Sequence, residues 1–297
     1  MQLIKRIGLF LLVNIAVILL FSLITSILGL DGYLTHSGID YTSLLVFAAI
    51  FGFAGSFISL MMSRWMAKKT FNIAMIETPK SDAEQKIYDV VSRISVAHNI
   101  TLPEMGIYES SEVNAFATGW SKNHSLVAVS TGLLKAMNED EVEGVVAHEM
   151  AHILNGDMVT MTLLQGVMNT FIIFFARIVA YAIQSFMGRG DEDGVVGGFA
   201  YYGISMALEV LLGLLAGLVI SGFSRYREYR ADAGSAKYVG THKMIAALQK
   251  LQKMHEMVDP KQKAFATMKI SGGGIRKLYS THPPLEKRIA ALMGSTY

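Results

Sequence analysis

Four apolar stretches dominate the sequence, and each is long enough to cross a bilayer. Ile7–Leu30, Leu44–Met62, Met158–Met187 and Gly197–Phe223 all meet the roughly 20 residues that a spanning helix needs. Composition agrees. Only 17% of the 297 residues are charged, against roughly 25% in soluble domains. The third and fourth stretches each hold one charge, Arg177 and Glu209. A lone charge in the bilayer is costly, and two antiparallel neighbours would bring these to similar depth, so an Arg177–Glu209 ion pair is expected. The other reading of these two stretches is a hydrophobic hairpin inside a soluble fold. Ile7–Leu30 reads as a retained anchor, since Ser26–Leu30 offers no small-x-small cleavage site.

Loop charges set an orientation. Lys5 and Arg6 precede the first stretch, Arg64, Lys68 and Lys69 follow the second, and Arg225, Arg227 and Arg230 follow the fourth. Basic flanks stay cytoplasmic. Both termini and the polar region 65–157 are therefore expected in the cytoplasm. The organisation that follows has an N-terminal membrane hairpin (1–64), a first polar segment (65–157), a second hairpin (158–223) and a second polar segment (224–297). A net charge of +2 gives little drive toward nucleic acid. The chain has no cysteine, so any metal must sit on histidine and carboxylate.

Between the hairpins the pattern is α+β. Ser81 with Glu84 opens a helix with Ile87, Val90, Val91 and Ile94 on its apolar stripe. Met105–Tyr108, Ala115–Thr118 and Ser125–Ser130 read as strands of a small antiparallel sheet, with turns at Gly119 and 121–124. Asn138 with Glu141 caps a second helix, which runs to a break or kink at Asn155-Gly156. Residues 241–258 form an amphipathic helix, 271–274 a flexible loop and 283–293 a short terminal helix.

The second capped helix carries His148-Glu149-Met150-Ala151-His152. Histidines four apart lie one turn apart on one helix face and can bind one zinc ion. The glutamate between them can act as general base on a metal-activated water. Small Ala147 and Ala151 leave room for another element to approach. A catalytic zinc needs a third protein ligand. Glu228 is either that ligand or an exposed glutamate among arginines. Asp232, four residues on, shares its face and could hold the outer nitrogen of a ligand histidine.

Together, His148–His152 continuing to Asn155-Gly156-Asp157, Glu228 with Ala231-Asp232, His282-Pro283-Pro284, and Asn114–Gly119 resemble the HtpX-type membrane zinc metalloproteases. These are relatives of the CAAX prenyl endopeptidases. The resemblance spans nearly the whole chain. It implies an α+β integral membrane protein with four transmembrane helices and a mainly helical, zincin-like cytoplasmic protease domain. It implies one zinc per subunit on His148, His152 and Glu228, with Glu149 as general base. Asn114, Ala115, Phe116, Ala117 and Thr118 would form an edge strand that pairs with an extended substrate. His282 would stabilise the oxyanion; read on its own residues, it is equally a turn residue before a proline-started helix. The family further implies a bacterial inner-membrane enzyme that degrades damaged membrane proteins under stress. The oligomeric state is open. The non-enzymatic rival is a membrane metal sensor or transporter, which would keep the histidines and dispense with Glu149. His36, His98, His124, His242 and His255 lack a partner pattern.

Overall fold

In a computed structural model, residues 34–35, 38–186, 194–257 and 278–294, with the isolated Ile27, are described. Apart from Ile27, the expected first span Ile7–Leu30 lies outside these residues, as does the loop 271–274. The elements are β1 (Leu34–Thr35), β2 (Gly38–Ile39), α1 (Tyr41–Phe71), β3 (Ala74–Met75), α2 (Asp82–Ala97), β4 (Glu104–Tyr108), β5 (Ala115–Ser121), β6 (His124–Ser130), α3 (Thr131–Ala136), α4 (Glu139–Asn155), α5 (Asp157–Phe186), α6 (Gly194–Val239), α7 (Thr241–Met257) and α8 (Leu285–Gly294). They group into two compact units. One holds residues up to Ser59 with Thr162–Ile220, and the other holds Leu60–Met161 with the residues from Ser221 on.

The first unit is helical. Among the described residues, three helices (α1, α5 and α6) are long and apolar enough to cross a membrane. Phe171, Phe175 and Val179 stand exposed along one face of α5, as do Val210, Leu211, Leu214 and Leu215 on α6. Apolar ridges of this kind suit lipid better than water. Where α5 and α6 meet, Arg177 Nη1 donates to Glu209 Oε1 at 3.0 Å, the expected pair. The ring of Phe47 lies 5.8 Å from the guanidinium carbon.

The second unit is built on a four-stranded sheet in the order β3-β4-β6-β5. The expected antiparallel sheet is instead mixed: β4 and β6 run parallel, with Met105 opposite Val127, while β5 pairs antiparallel to β6. Reaching the strand beside β4 in parallel needs a crossover. Here the chain uses β5 for it, so the strand laid down last sits inside. β6 is accordingly buried on both faces from Ser125 to Ser130. Gly119 forms no turn but belongs to β5, where the register shifts toward Ser121 as a bulge. The helix α2 turns its expected stripe of Ile87, Val90, Val91 and Ile94 into this core. Val145, Val146 and Met150 of α4 and Ala247 of α7 meet it there.

Candidate metal centre

The sequence builds α4 firmly. Asn138 Oδ1 accepts from Glu141 N at 2.9 Å, and Glu141 Oε2 accepts from Asn138 N at 2.8 Å. Acidic Glu139, Asp140 and Glu141 complement the helix dipole in the first turn. At the far end Gly156 adopts φ 69°, a left-handed cap that glycine reaches at no steric cost, and α5 starts at the next residue. The expected break is therefore real.

His148 and His152 stand one turn apart, both buried, with ring centroids 4.7 Å apart and nearly perpendicular. The small residues beside them do admit another helix. A Cβ on Gly234 of α6 would come within 2.7 Å of that of Ala151. That proximity brings Glu228 against both rings. Its Oε2 lies 3.6 Å from His148 Nε2 and its Oε1 lies 3.4 Å from His152 Nε2. One ligand atom from each of the three residues falls within 4.8 Å of the others. Glu228 is 1% exposed, so it is no surface glutamate.

The outer ring nitrogens both face carboxylates. His148 Nδ1 is 2.9 Å from Asp232 Oδ1, and His152 Nδ1 is 2.6 Å from Asp157 Oδ2. The Asp157 contact is a hydrogen bond, while Asp232 stands at ion-pair distance from a His148 Nδ1 that has no hydrogen-bond partner; both carboxylates lie behind the rings and leave Nε2 on the side of Glu228. Burial by itself would lower the His148 pKa, but Asp232 and Glu228 outweigh it and push it up to about 9. His152 is raised in the same way: burial lowers it, and Asp157 and Glu228 more than compensate. Three carboxylates thus crowd the two rings and favour positive charge between them. Glu228 Oε1 is buried with no hydrogen-bond partner, a need that a coordinated cation would satisfy. Two imidazoles and a carboxylate, with no thiolate, fit a divalent metal.

The centre opens onto a cavity of about 900 Å³ whose lining includes Asn114, Ala115, His148, Glu149, Glu228 and His282. Glu149 thus sits at the cavity wall beside the two histidines and Glu228. His282 Nδ1 is 2.9 Å from Glu228 Oε2, with most of its side chain exposed. Its segment is tied to α6. Arg225 Nη1 donates to the carbonyls of Leu278 and Ser280 at 2.8 and 2.7 Å. The expected substrate strand is the edge strand β5 with Asn114 before it. Only Asn114 and Ala115 reach the cavity. Phe116 instead packs against Phe71 and Tyr108, Ala117 against the core, and Thr118 pairs with Leu126 further along the strand.

Two further residues belong to the centre. Asp157 stands out in the sequence only as part of the Asn155-Gly156-Asp157 run, with no role attached to it. Arg288 is 6% exposed and forks onto Asp232, with Nε to Oδ2 at 2.7 Å and Nη2 to Oδ1 at 2.6 Å. Its Nη1 is also 3.4 Å from Glu228 Oε2. The one sequence signal for it is its position on the apolar face of α8, in line with Leu285, Ile289 and Leu292.

Residues 81–296 match the model of peptidase family M48. The chain is 52% identical to a protease HtpX of Shewanella sp. (strain ANA-3) over 292 residues, covering 97% of this chain and 99% of the relative. It is 51% identical to a protease HtpX of Pasteurella multocida, covering 97% of each. It is 49% identical to a protease HtpX homolog of Methylacidiphilum infernorum, covering 97% and 98%. Among solved structures it is similar to Ste24p of S. mikatae, with a TM-score of 0.68 at 20% identity. That match covers 98% of this chain and 65% of the other, so the chain spans about two thirds of that protein's length.

Proposed function

The chain belongs to peptidase family M48, and from that premise we propose how this membrane metalloendopeptidase works and where. The observation that carries the reading is Glu228, which faces both histidine Nε2 atoms while carboxylates hold the opposite ring nitrogens.

We infer that the metal is zinc, one per chain, held by His148, His152 and Glu228, and that when bound it supplies a Lewis acid that acidifies water and polarises the scissile carbonyl. Glu149 takes the proton of the attacking water on its carboxylate and returns it to the leaving amine. His282 donates a hydrogen bond to the developing oxyanion. Asp232 keeps His148 oriented. An extended polypeptide pairs with the outer edge of Asn114–Thr118 and so lies across the centre. Segments 65–157 and 224–297 act as one protease domain on the cytoplasmic side of a bacterial inner membrane, in keeping with Arg64, Lys68, Lys69, Arg225, Arg227 and Arg230 flanking the apolar helices. Its substrates are misfolded or damaged membrane proteins, cleared under stress. A metal sensor would have no use for Glu149 at a cavity wall.

The test is cleavage of an unfolded membrane protein by detergent-purified wild type and Glu149→Ala, with zinc stoichiometry on both. Zinc in both and cleavage by wild type alone is the expected result. Equal cleavage by the variant would remove Glu149 from the mechanism. Because the chain has no cysteine, single cysteines placed at Lys122 or Lys237 can report sidedness. Labelling of either from the outer face in intact cells would overturn the cytoplasmic assignment.

A further inference from the structure

We propose that Arg288 is a positioning residue for the metal centre. It locks Asp232 through a two-toothed contact, and Asp232 in turn holds His148 with Nε2 toward the metal. The inference rests on the metal-centre reading above.

The geometry is unusual for an arginine. It is buried at a helix position that the surrounding pattern reserves for apolar side chains. Burying a guanidinium is costly unless it is paired and hydrogen-bonded. Here it is paired with Asp232 at 2.7 and 2.6 Å, and Glu228 lies 3.4 Å away. A planar fork fixes both the position and the plane of the carboxylate it grips. Asp232 carries its Oδ1 from this grip to within 2.9 Å of His148 Nδ1. Without the fork the Asp232 carboxylate could rotate, and the ring could turn with it. The guanidinium is held by Asp232 and Glu228, so Arg288 acts on His148 through them. Lysine can supply the charge but not the fork.

The experiment uses the full chain in detergent, stripped of metal and titrated with zinc against a chromophoric chelator. Wild type, His148→Ala, Arg288→Lys, Arg288→Gln, Asp232→Asn and the Asp232→Asn/Arg288→Gln pair are compared. Removing a partner behind a ligand costs about ten- to a hundredfold in metal affinity. Arg288→Gln and Asp232→Asn are each expected to show that loss, and the double variant is expected to be no worse than the weaker single one. Arg288→Lys should recover the affinity only in part and should shift the visible absorption of the cobalt-substituted protein while keeping the metal-free melting temperature. If Arg288→Gln does not fold, the lysine variant carries the test. Zinc affinity within twofold of wild type in Arg288→Gln, losses that multiply in the double variant, or full recovery by lysine would each overturn the proposal. Zinc binding that survives His148→Ala would overturn the metal-centre reading itself, which separates the two failures.

Discussion

Arg177 and Glu209 meet at 3.0 Å between α5 and α6, two helices otherwise apolar enough to cross a membrane. Removing one partner leaves the other charge unpaired in apolar surroundings, which costs about 2.5–3.5 kcal/mol for a charge at the centre of a spanning helix. Arg177→Met or Glu209→Gln alone should therefore destabilise the protein strongly. The double variant should regain most of the loss. Unfolding in detergent mixtures measures it; additive losses in the double variant would show that the contact is incidental.

Asp157→Asn keeps the side chain's size and replaces the carboxylate that faces His152 Nδ1 at 2.6 Å. Zinc affinity should fall about ten- to a hundredfold, with activity returning when zinc is raised. Chelator competition reads the loss. An unchanged affinity would mean that this carboxylate does nothing for the ligand.

The helices α4 and α7 touch through backbone. A Cβ on Gly144 would lie 2.7 Å from the Lys243 carbonyl oxygen. Gly144→Ala must push the helices apart and should cost about 1–3 kcal/mol, as overpacking does. The carbonyl of Gly144 also accepts from Ser235 of α6 at 2.8 Å, so the strain should reach the helix that carries Glu228. Thermal melting with and without zinc checks this, and an unchanged melting temperature would refute it.

Glu143 of α4 sits between Lys243 and Arg93. Burial raises its pKa, but those two cations outweigh the effect and leave it below the ordinary 4.5. Lys243 is raised above 10.5 by Glu143 and Asp140. A depressed carboxyl stabilises the fold above its unfolded pKa and loses that contribution as pH falls through the folded value. A raised lysine stabilises below its unfolded pKa and loses it as pH rises through the folded value. The pair should thus contribute fully between about pH 4.5 and 10.5 and fade at both ends. Glu143→Gln should cost about 0.5–1 kcal/mol at neutral pH. The difference from wild type should vanish in acid; a difference that persists there would rule out the charge as its cause.

Much of the centre is legible in the sequence because its chemistry is local. His148 and His152 share a helix face by spacing alone, and so do Glu228 and Asp232. The cap at Asn138 marks the helix that carries the histidines. What brings the two helices together is not local, and only Ala147 and Ala151 hint at it. Strand positions are readable from β-prone runs, but direction is not. Nothing in Met105–Tyr108 or Ser125–Ser130 records that they run parallel, because pairing is settled by where the crossover packs. Arg288 is hard to read because a basic residue on a short terminal helix normally lies in solvent. Its burial follows from a carboxylate more than fifty positions earlier in the chain, at Asp232.

The three residues proposed as metal ligands are also synthesised in a fixed order. His148 and His152 precede α5 and α6, and Glu228 follows the apolar part of α6. At about 5–20 residues per second of synthesis, several seconds separate the second ligand from the third. A nascent chain on the ribosome therefore holds an incomplete triad while its intervening helices are being made. The triad is complete only once both intervening helices have been made.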